Sequence, residues 1–537
     1  MSAVIYEPLE EYDCKYRSLH LENIQAFFDD LVARSGVDAE KNRETVRLYI
    51  QYKENSSKIR RKLNWFRFLR VIMIITILLI PVVIWKVTPI IRNLRGEFQH
   101  AEQKASELLA EATEQMRPLN SLFTADDAVN LIEKTIPMLS FEPLFLAEHE
   151  ENMRINYDFD VMNQINQSTI DVLAGHYNEN PFLFENRFVQ TMGTAVYRGY
   201  KTIHWTETYV DSQGRRRSRT RSQTLQATVT KPKPYYNTQV LLHYCTQGGP
   251  DLTFTRDATH LDQKSEKEIK RYVKRGEKKL KKKTDKAIQK SGNFMTMSNS
   301  EFEVLFDAID RNNEVQFRTL FTPLAQTNMV SLILSKLGFG DDFNFIKAKR
   351  TNTIITNHSQ GRTLNLRPDH YISYSFDEIK NNFVQKNEFF FKAVYFDFAP
   401  LWAIPMYQER PVHSLKPIPD YTRLYSYKEC ESLANCVDHQ YVVHPGSKTP
   451  AIIKTSLVRC DQKREETCIT AYSFDITPRI DFVAVYGGDG RFHQVPVEWD
   501  EYIPLEAQHY FYISDEEAAR NQNVIARQNG LCIYNIN

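Results

Sequence analysis

Residues Val71 to Trp85 read VIMIITILLIPVVIW, fifteen residues without a charge, and continuing to Ile91 adds Lys86 as the one charge in 21. A membrane-spanning helix needs about 20 mostly apolar residues. No other stretch of the 537-residue chain approaches that. The run predicts a single transmembrane helix and divides the chain into a short N-terminal part, an anchor, and a large part beyond it. It has no polar face, unlike the surface helix of a globular core. It starts at position 71 and no small-residue cleavage site follows, which sets it apart from a signal peptide. Arg70 and Lys86 bracket the run on long stems that can snorkel outward. Trp65 and Trp85 suit interfacial positions. Pro81 removes one helix hydrogen bond, which membrane helices tolerate.

Orientation follows from the flanking cations. The twenty residues before Val71 hold Lys53, Lys58, Arg60, Arg61, Lys62, Arg67 and Arg70, whereas the twenty after Ile91 hold only Arg92, Arg95 and Lys104. That asymmetry predicts a single-pass protein with a cytoplasmic N-terminus and the large domain outside. A net charge of +1, with 25% charged and 42% hydrophobic residues, gives no global field to steer a polyanion, and no nucleic-acid partner is expected. The 28 Tyr and 32 Phe favour β-structure.

The expected fold class is α+β. The expected order is N-terminal helices over 1–62, the anchor within 63–91, a helical stalk or connector over 92–178, an α+β domain over 179–410 and a C-terminal α+β subdomain over 411–537. Ile24, Phe27, Phe28, Leu31 and Val32 fall on one helix face, and Gly36 ends that helix. Phe98, Ala101, Ala105, Leu108 and Ala112 form a narrow stripe, which reads equally as a coiled-coil stalk that could join copies of the chain or as a solvated helix. Gly199–Val210 and Arg219–Val229 flank the turn 211–214 and predict a long hairpin closed by Lys231-Pro232-Lys233-Pro234. Further strands are expected at Asn352–Thr356, Ala451–Val458, Ile469–Phe474, Phe482–Tyr486 and Phe492–Val497, with a turn at 487–490 between the last two. Capping boxes are read at Ser265/Glu268, Ser298/Glu301, Ser375/Glu378 and Ser426/Glu429. Irregular alternation of strands and helices argues against a doubly wound sheet.

The segment Lys264 to Lys290 carries thirteen Lys or Arg against four acids, and Ile269, Val273, Gly276, Leu280 and Ala287 make a narrow apolar stripe. Its exposed cations Lys270, Arg271, Lys274, Lys278, Lys281 and Lys282 are candidates for contact with anionic lipid or a cell-surface polyanion. The plainer reading is a solvated helix packing its stripe on its own domain. Arg215, Arg217, Arg219 and Arg221 share one strand face, opposite Glu207 or free to meet an anion. Cys14 precedes the run and six cysteines follow it; Cys460 and Cys468, flanking DQKREET, are the best disulfide candidates. Catalytic and cofactor signatures are absent, so no catalytic residue, cofactor or metal ligand is assigned. His439 and His444 near Asp438, Asp489 with His493, and Asp341-Asp342 read as surface, core or turn residues.

The stretch Ser298 to Ala325, SNSEFEVLFDAIDRNNEVQFRTLFTPLA, resembles a segment in a family of uncharacterised bacterial membrane proteins defined only as a domain of unknown function. The matching residues are Glu301, Phe302, Glu303, Phe306, Asp310, Arg318, Thr322 and Pro323, and Tyr197-Arg198-Gly199-Tyr200 upstream resembles that family's opening. The resemblance implies N-terminal membrane spans, often two, and assigns no activity. The reading is a membrane-anchored binding or scaffolding protein of the bacterial cell envelope, with the bilayer as partner. The alternatives are an envelope hydrolase, or a cytoplasm-facing protein whose basic helix lies along the anionic inner leaflet.

Overall fold

A computed structural model describes residues 4–75, 83–159, 164–289, 296–308, 310–411, 416, 423–461, 463–520 and 522–535. The fold is α+β, with N-terminal helices and a β-rich C-terminal region. The chain divides into a helical unit, residues 7–139 with 365–396, and a β-rich unit, residues 1–6, 140–364 and 397–537. The helical unit thus runs well past residue 62, and the connector expected over 92–178 splits between the two units.

The helical unit holds α1 (Arg17–Ser35), α2 (Ala39–Ile75), α3 (Thr88–Asn120) and α4 (Asp127–Thr135). The stripe read for α1 is the buried face, with Ile24, Phe28 and Leu31 inside, and Gly36 closes the helix at φ 64°. The stripe of α3 does not form a separate stalk. Ala101, Ala105 and Ala112 are buried, and α3 lies antiparallel along α2. Asn42 donates to the Ala112 carbonyl at 3.4 Å and Gln115 donates to Thr45 Oγ1 at 3.1 Å near one end. Leu63, Val87 and Ile91 pack together near the other, with Phe66, Met73 and Leu94 against them. Small residues in the stripe allow this close approach.

Among the described residues no helix is long and apolar enough to cross a membrane. The centre of the apolar run, residues 76–82, lies outside the described residues.

The β-rich unit is built on two antiparallel sheets. One contains β1 (Leu139–Glu142), β2 (Gln167–Tyr177), β3 (Asn180–Val210), β4 (Arg216–Cys245), β5 (Thr253–Arg256), β6 (Phe343–Ala348) and β7 (Thr351–Thr356), ordered β1-β2-β3-β4-β7-β6-β5. The other contains β8 (Ile452–Cys460), β9 (Arg464–Tyr486), β10 (Phe492–Asp515), β11 (Val524–Gln528) and β12 (Leu531–Asn535), ordered β11-β12-β10-β9-β8. The hairpin over 199–229 is real but far longer than expected. β3 and β4 pair continuously from Phe182↔Tyr244 to Val210↔Arg216, straight through Pro232 and Pro234. Proline cannot donate to a ladder, but β4 pairs with β7 only over Leu242–Cys245, so at the prolines its other side is an open edge. Likewise Ile469–Phe474 and Phe482–Tyr486 are one strand, β9, which passes through Pro478 and pairs with β10 over its whole length.

The two long hairpins pack face to face. Ile203, Leu225 and Ala227 of one bury Val495 and Val497 of the other. Gly199 is needed there, because a Cβ would lie 1.9 Å from the Pro496 carbonyl oxygen. The unit also holds α5 (Ala147–Tyr157), α6 (Glu266–Gln289), α7 (Ser300–Phe306), α8 (Glu314–Leu320), α9 (Pro323–Leu334) and α11 (Tyr427–Asn435), with α10 (Phe376–Trp402) crossing the division at residue 397. The capping expectations fare unevenly. Ser265 donates to Glu268 as expected, at 2.7 Å. Ser426 caps Glu429 N, but the Glu429 carboxylate accepts from Phe145 N instead of returning to Ser426. Asn299, not Ser298, caps α7, and Glu378 accepts from Ser373, not Ser375.

Candidate functional site

The basic helix forms as α6, with Lys290 outside the described residues. Leu280 of its stripe is buried, and Gly276 abuts Val304 of α7. Lys270, Arg271, Lys274, Lys278, Lys281 and Lys282 are all exposed. Among the described residues none of the six is in an ion pair; Glu303 of α7 and Glu314 of α8 are instead held by Arg311, at 2.5 Å and 3.0 Å. Lys283 is different, since it is partly buried and burial lowers its pKa. The stripe therefore packs on the domain, as the plainer reading has it, while the six cations stay open to solvent.

The arginines of the hairpin tip are paired within the hairpin. Arg217 binds Asp211 at 2.9 Å, and Glu207 accepts from Arg219 at 2.9 Å and Arg221 at 2.6 Å. Cys460 and Cys468 are not bonded. Cys460 stands opposite Glu465 and Cys468 opposite Ser456. Four strand positions at about 3.3 Å each separate them by roughly 13 Å, about twice what a disulfide bridges. The loop read as DQKREET is mostly strand, and that places them out of register. Asp341 is buried and accepts from Arg256, Thr259 and Leu261, so it organises a turn. His493 and Asp489 form a 3.0 Å pair beside the β9–β10 turn.

The residues singled out within Ser298–Ala325 fold the chain locally. Phe302 stacks on Phe306 and both meet Phe317 and Phe321 at tilted angles, Glu303 holds Arg311, Asp310 accepts from Thr255, and Thr322 caps α9 ahead of Pro323.

Burial concentrates charge elsewhere. Glu185 is buried and accepts from Lys428 at 2.8 Å, Arg187 at 2.9 Å and Thr169 at 2.8 Å. Burial alone would raise its pKa, but the charges of Lys428 and Arg187 outweigh it and hold the carboxyl well below its usual range. Glu429 is pushed up to about 7 by burial. Lys347 is pushed down to about 7 by burial and donates to the carbonyls of Gly248 and Lys349. With 1% exposure it has no route to a substrate.

One cluster differs because it reaches the surface. Glu142 ends β1, His176 is the penultimate residue of β2, and His149 is in the first turn of α5. Gly175 admits β1 beside β2, since a Cβ there would lie 2.1 Å from the Ser140 carbonyl oxygen. The Glu142 carboxylate lies 2.5 Å from His149 Nδ1 and 3.1 Å from His176 Nδ1, and the two Nε2 atoms stand 2.9 Å apart. The rings stack at 4.5 Å. The His149 side chain is 9% exposed, whereas Glu142 and His176 are 30% and 32% exposed. Burial pushes the Glu142 carboxyl up, but hydrogen bonds from both imidazoles overcome this and bring it to about 2. Two imidazoles and a carboxylate, with ligand atoms mutually within 4.8 Å, are a donor set able to hold a metal ion. The sequence reading missed this centre because it did not recognise β2. The available signal was the alternation over 169–177 ahead of Asn178-Glu179, both at positive φ in the β2–β3 turn.

Comparison with protein-family models, curated proteins and solved structures finds no match.

Proposed function

We propose that this chain is a membrane-surface binding or scaffolding protein, held to the bilayer by the apolar end of the α2–α3 hairpin, with both flanks on the cytoplasmic side. The observation that carries the reading is the antiparallel pairing of α2 with α3, from Asn42 and Ala112 to Leu63 and Ile91. A helix running straight through residues 71–91 would carry Arg92 onward away from α2. Paired helices return the chain to the side from which it came. This reading takes the cytoplasm-facing alternative in place of the single-pass, outward-facing arrangement expected from charge asymmetry.

The chemistry of the hairpin end supports this. Trp65, Phe68, Val71, Ile72, Trp85 and Ile90 are exposed by 61, 58, 56, 45, 82 and 40%. Arg60, Arg61, Lys62, Arg67, Lys86, Arg92 and Arg95 surround them, exposed to solvent, with Arg70 half-buried. Aromatic rings and snorkelling cations beside exposed aliphatic side chains match a membrane interface. In a hairpin, the cations that flank the run before Val71 and after Ile91 all fall on one side, and a Lys- and Arg-rich side is the cytoplasmic one. The six unpaired cations of α6 are suited to an anionic leaflet, each contributing about 1 kcal/mol near its surface. The resemblance to membrane proteins that often carry two N-terminal spans points the same way.

The test is depth-dependent fluorescence quenching. The chain has five tryptophans. In anionic vesicles carrying brominated acyl chains, the full-length protein is expected to lose the emission of Trp65 and Trp85, while W65F/W85F protein shows little quenching. Equal quenching of the two proteins would remove the hairpin end as the inserted element.

A further inference from the structure

The Glu142 carboxylate meets the Nδ1 atom of both His149 and His176, which leaves the two Nε2 atoms toward each other at 2.9 Å. Two imidazole nitrogens and a carboxylate from three elements thus converge at one partly exposed point, the kind of donor set that holds a metal ion.

We propose that Glu142, His149 and His176 form a binding site for a divalent transition-metal cation of the zinc class, with the two Nε2 atoms as ligands and Glu142 as the carboxylate that orients them. Carboxylate–histidine–metal relays of this kind fix the imidazole tautomer and raise its basicity as a ligand. Imidazole selects zinc, nickel, copper or cobalt over magnesium or calcium. Two nitrogens on a tetrahedral ion at about 2.0–2.1 Å stand roughly 3.3 Å apart, so the pair opens by about 0.4 Å to admit one. Three different backbone elements hold the donors. β1 and β2 are fixed by their close approach at Gly175, and α5 places His149 in a nearly dry position. The one-third exposure of Glu142 and His176 leaves the outer side open for water or another ligand to complete the coordination, as in sites that do more than brace a fold. Metal binding at these residues does not depend on how the chain meets a membrane.

The experiment uses full-length protein, purified in detergent, stripped with chelator and titrated with Co2+ alone, then with Zn2+ as competitor. The expected result is one equivalent of Co2+ with visible ligand-field absorption, displaced by Zn2+, and a rise in Tm on Zn2+ addition. His176→Gln, at a partly exposed position, is expected to abolish that equivalent. Glu142→Gln keeps both nitrogens but loses the orienting charge, and is expected to weaken binding by about 10- to 100-fold. Absence of a tight equivalent in the wild-type protein would overturn the proposal. Retention of the equivalent in His176→Gln would assign it to other histidines and overturn the proposal equally. If His176→Gln fails to fold, His149→Gln is read in its place, with the same expected loss and the same overturning result.

Discussion

Asn42 donates its side-chain amide to the carbonyl oxygen of Ala112, 3.4 Å away and 70 residues later in the chain. The same amide reaches the Tyr374 carbonyl at 3.0 Å, and its oxygen accepts from Phe376 N at 2.9 Å. One fully buried side chain thus ties α2 to α3 and to the start of α10 within the helical unit.

Asn42→Ala should therefore destabilise the helical unit. It leaves the Phe376 amide and the Ala112 and Tyr374 carbonyls without this partner. A buried polar group left unsatisfied costs about 1–3 kcal/mol. Chemical denaturation followed by helical circular dichroism should show a loss of roughly 2 kcal/mol. A change below about 0.5 kcal/mol would mean that water replaces the amide and that the α2–α3 junction is looser than described.

The basic helix should act electrostatically. Replacing Lys270, Arg271, Lys274, Lys278, Lys281 and Lys282 by Gln removes exposed charge and leaves Leu280 and the Gly276–Val304 contact intact. Thermal stability should stay within about 1 °C, while affinity for anionic vesicles falls and its salt dependence flattens. Screening acts over about 10 Å at 0.1 M salt, so the difference from wild type should shrink as salt rises. An unchanged salt profile would remove α6 as a membrane contact.

His20 and His358 should respond to pH in opposite directions. Burial pushes His20 down to about 3, where its ring stacks on Phe391 at 3.9 Å and Nδ1 meets Thr135. Its folded state favours the neutral form, so this stability is full above pH 6.5 and is lost as pH falls below it. For His358 burial also acts downward, but Asp397 and Asp342 outweigh it and raise the ring to about 9. That stability is present below pH 6.5 and is lost as pH rises through 9. Each tenfold change in proton affinity between the folded and unfolded chain is worth about 1.4 kcal/mol, so each contribution is a few kcal/mol. Chemical denaturation across the pH range should show stability falling on both an acid and an alkaline limb. His20→Gln should flatten the acid limb and His358→Gln the alkaline limb. Identical limbs in wild type and variants would assign the pH response to other groups.

Local signals were legible in the sequence wherever they decided the outcome alone. The stripe of α1, its Gly36 stop, the turns at 211–214 and 487–490, and the amphipathic α6 all form as their patterns require. The failures share a cause, which is tertiary pairing. Prolines 232 and 234 read as a break, and 469–474 and 482–486 as separate strands, yet long strands pass through because an antiparallel partner holds the ladder. Cys460 and Cys468 looked adjacent because register cannot be read from loop length once the loop itself becomes strand. The stripe of α3 left a stalk and a solvated helix equally open, and only its pairing with α2 decides that it packs. The Glu142, His149 and His176 centre gathers residues from three elements with no shared motif, so only the fold brings it into view.

The central claim is that the chain enters and leaves the membrane on one side. Single cysteines at Asp38, before α2, and at Gly530, between β11 and β12, in a background lacking the native cysteines, report this directly when intact spheroplasts are treated with an impermeant maleimide. Both positions are expected to be protected in intact spheroplasts and labelled in inverted vesicles. Labelling of position 530 from outside with position 38 protected would establish a single crossing and contradict the hairpin.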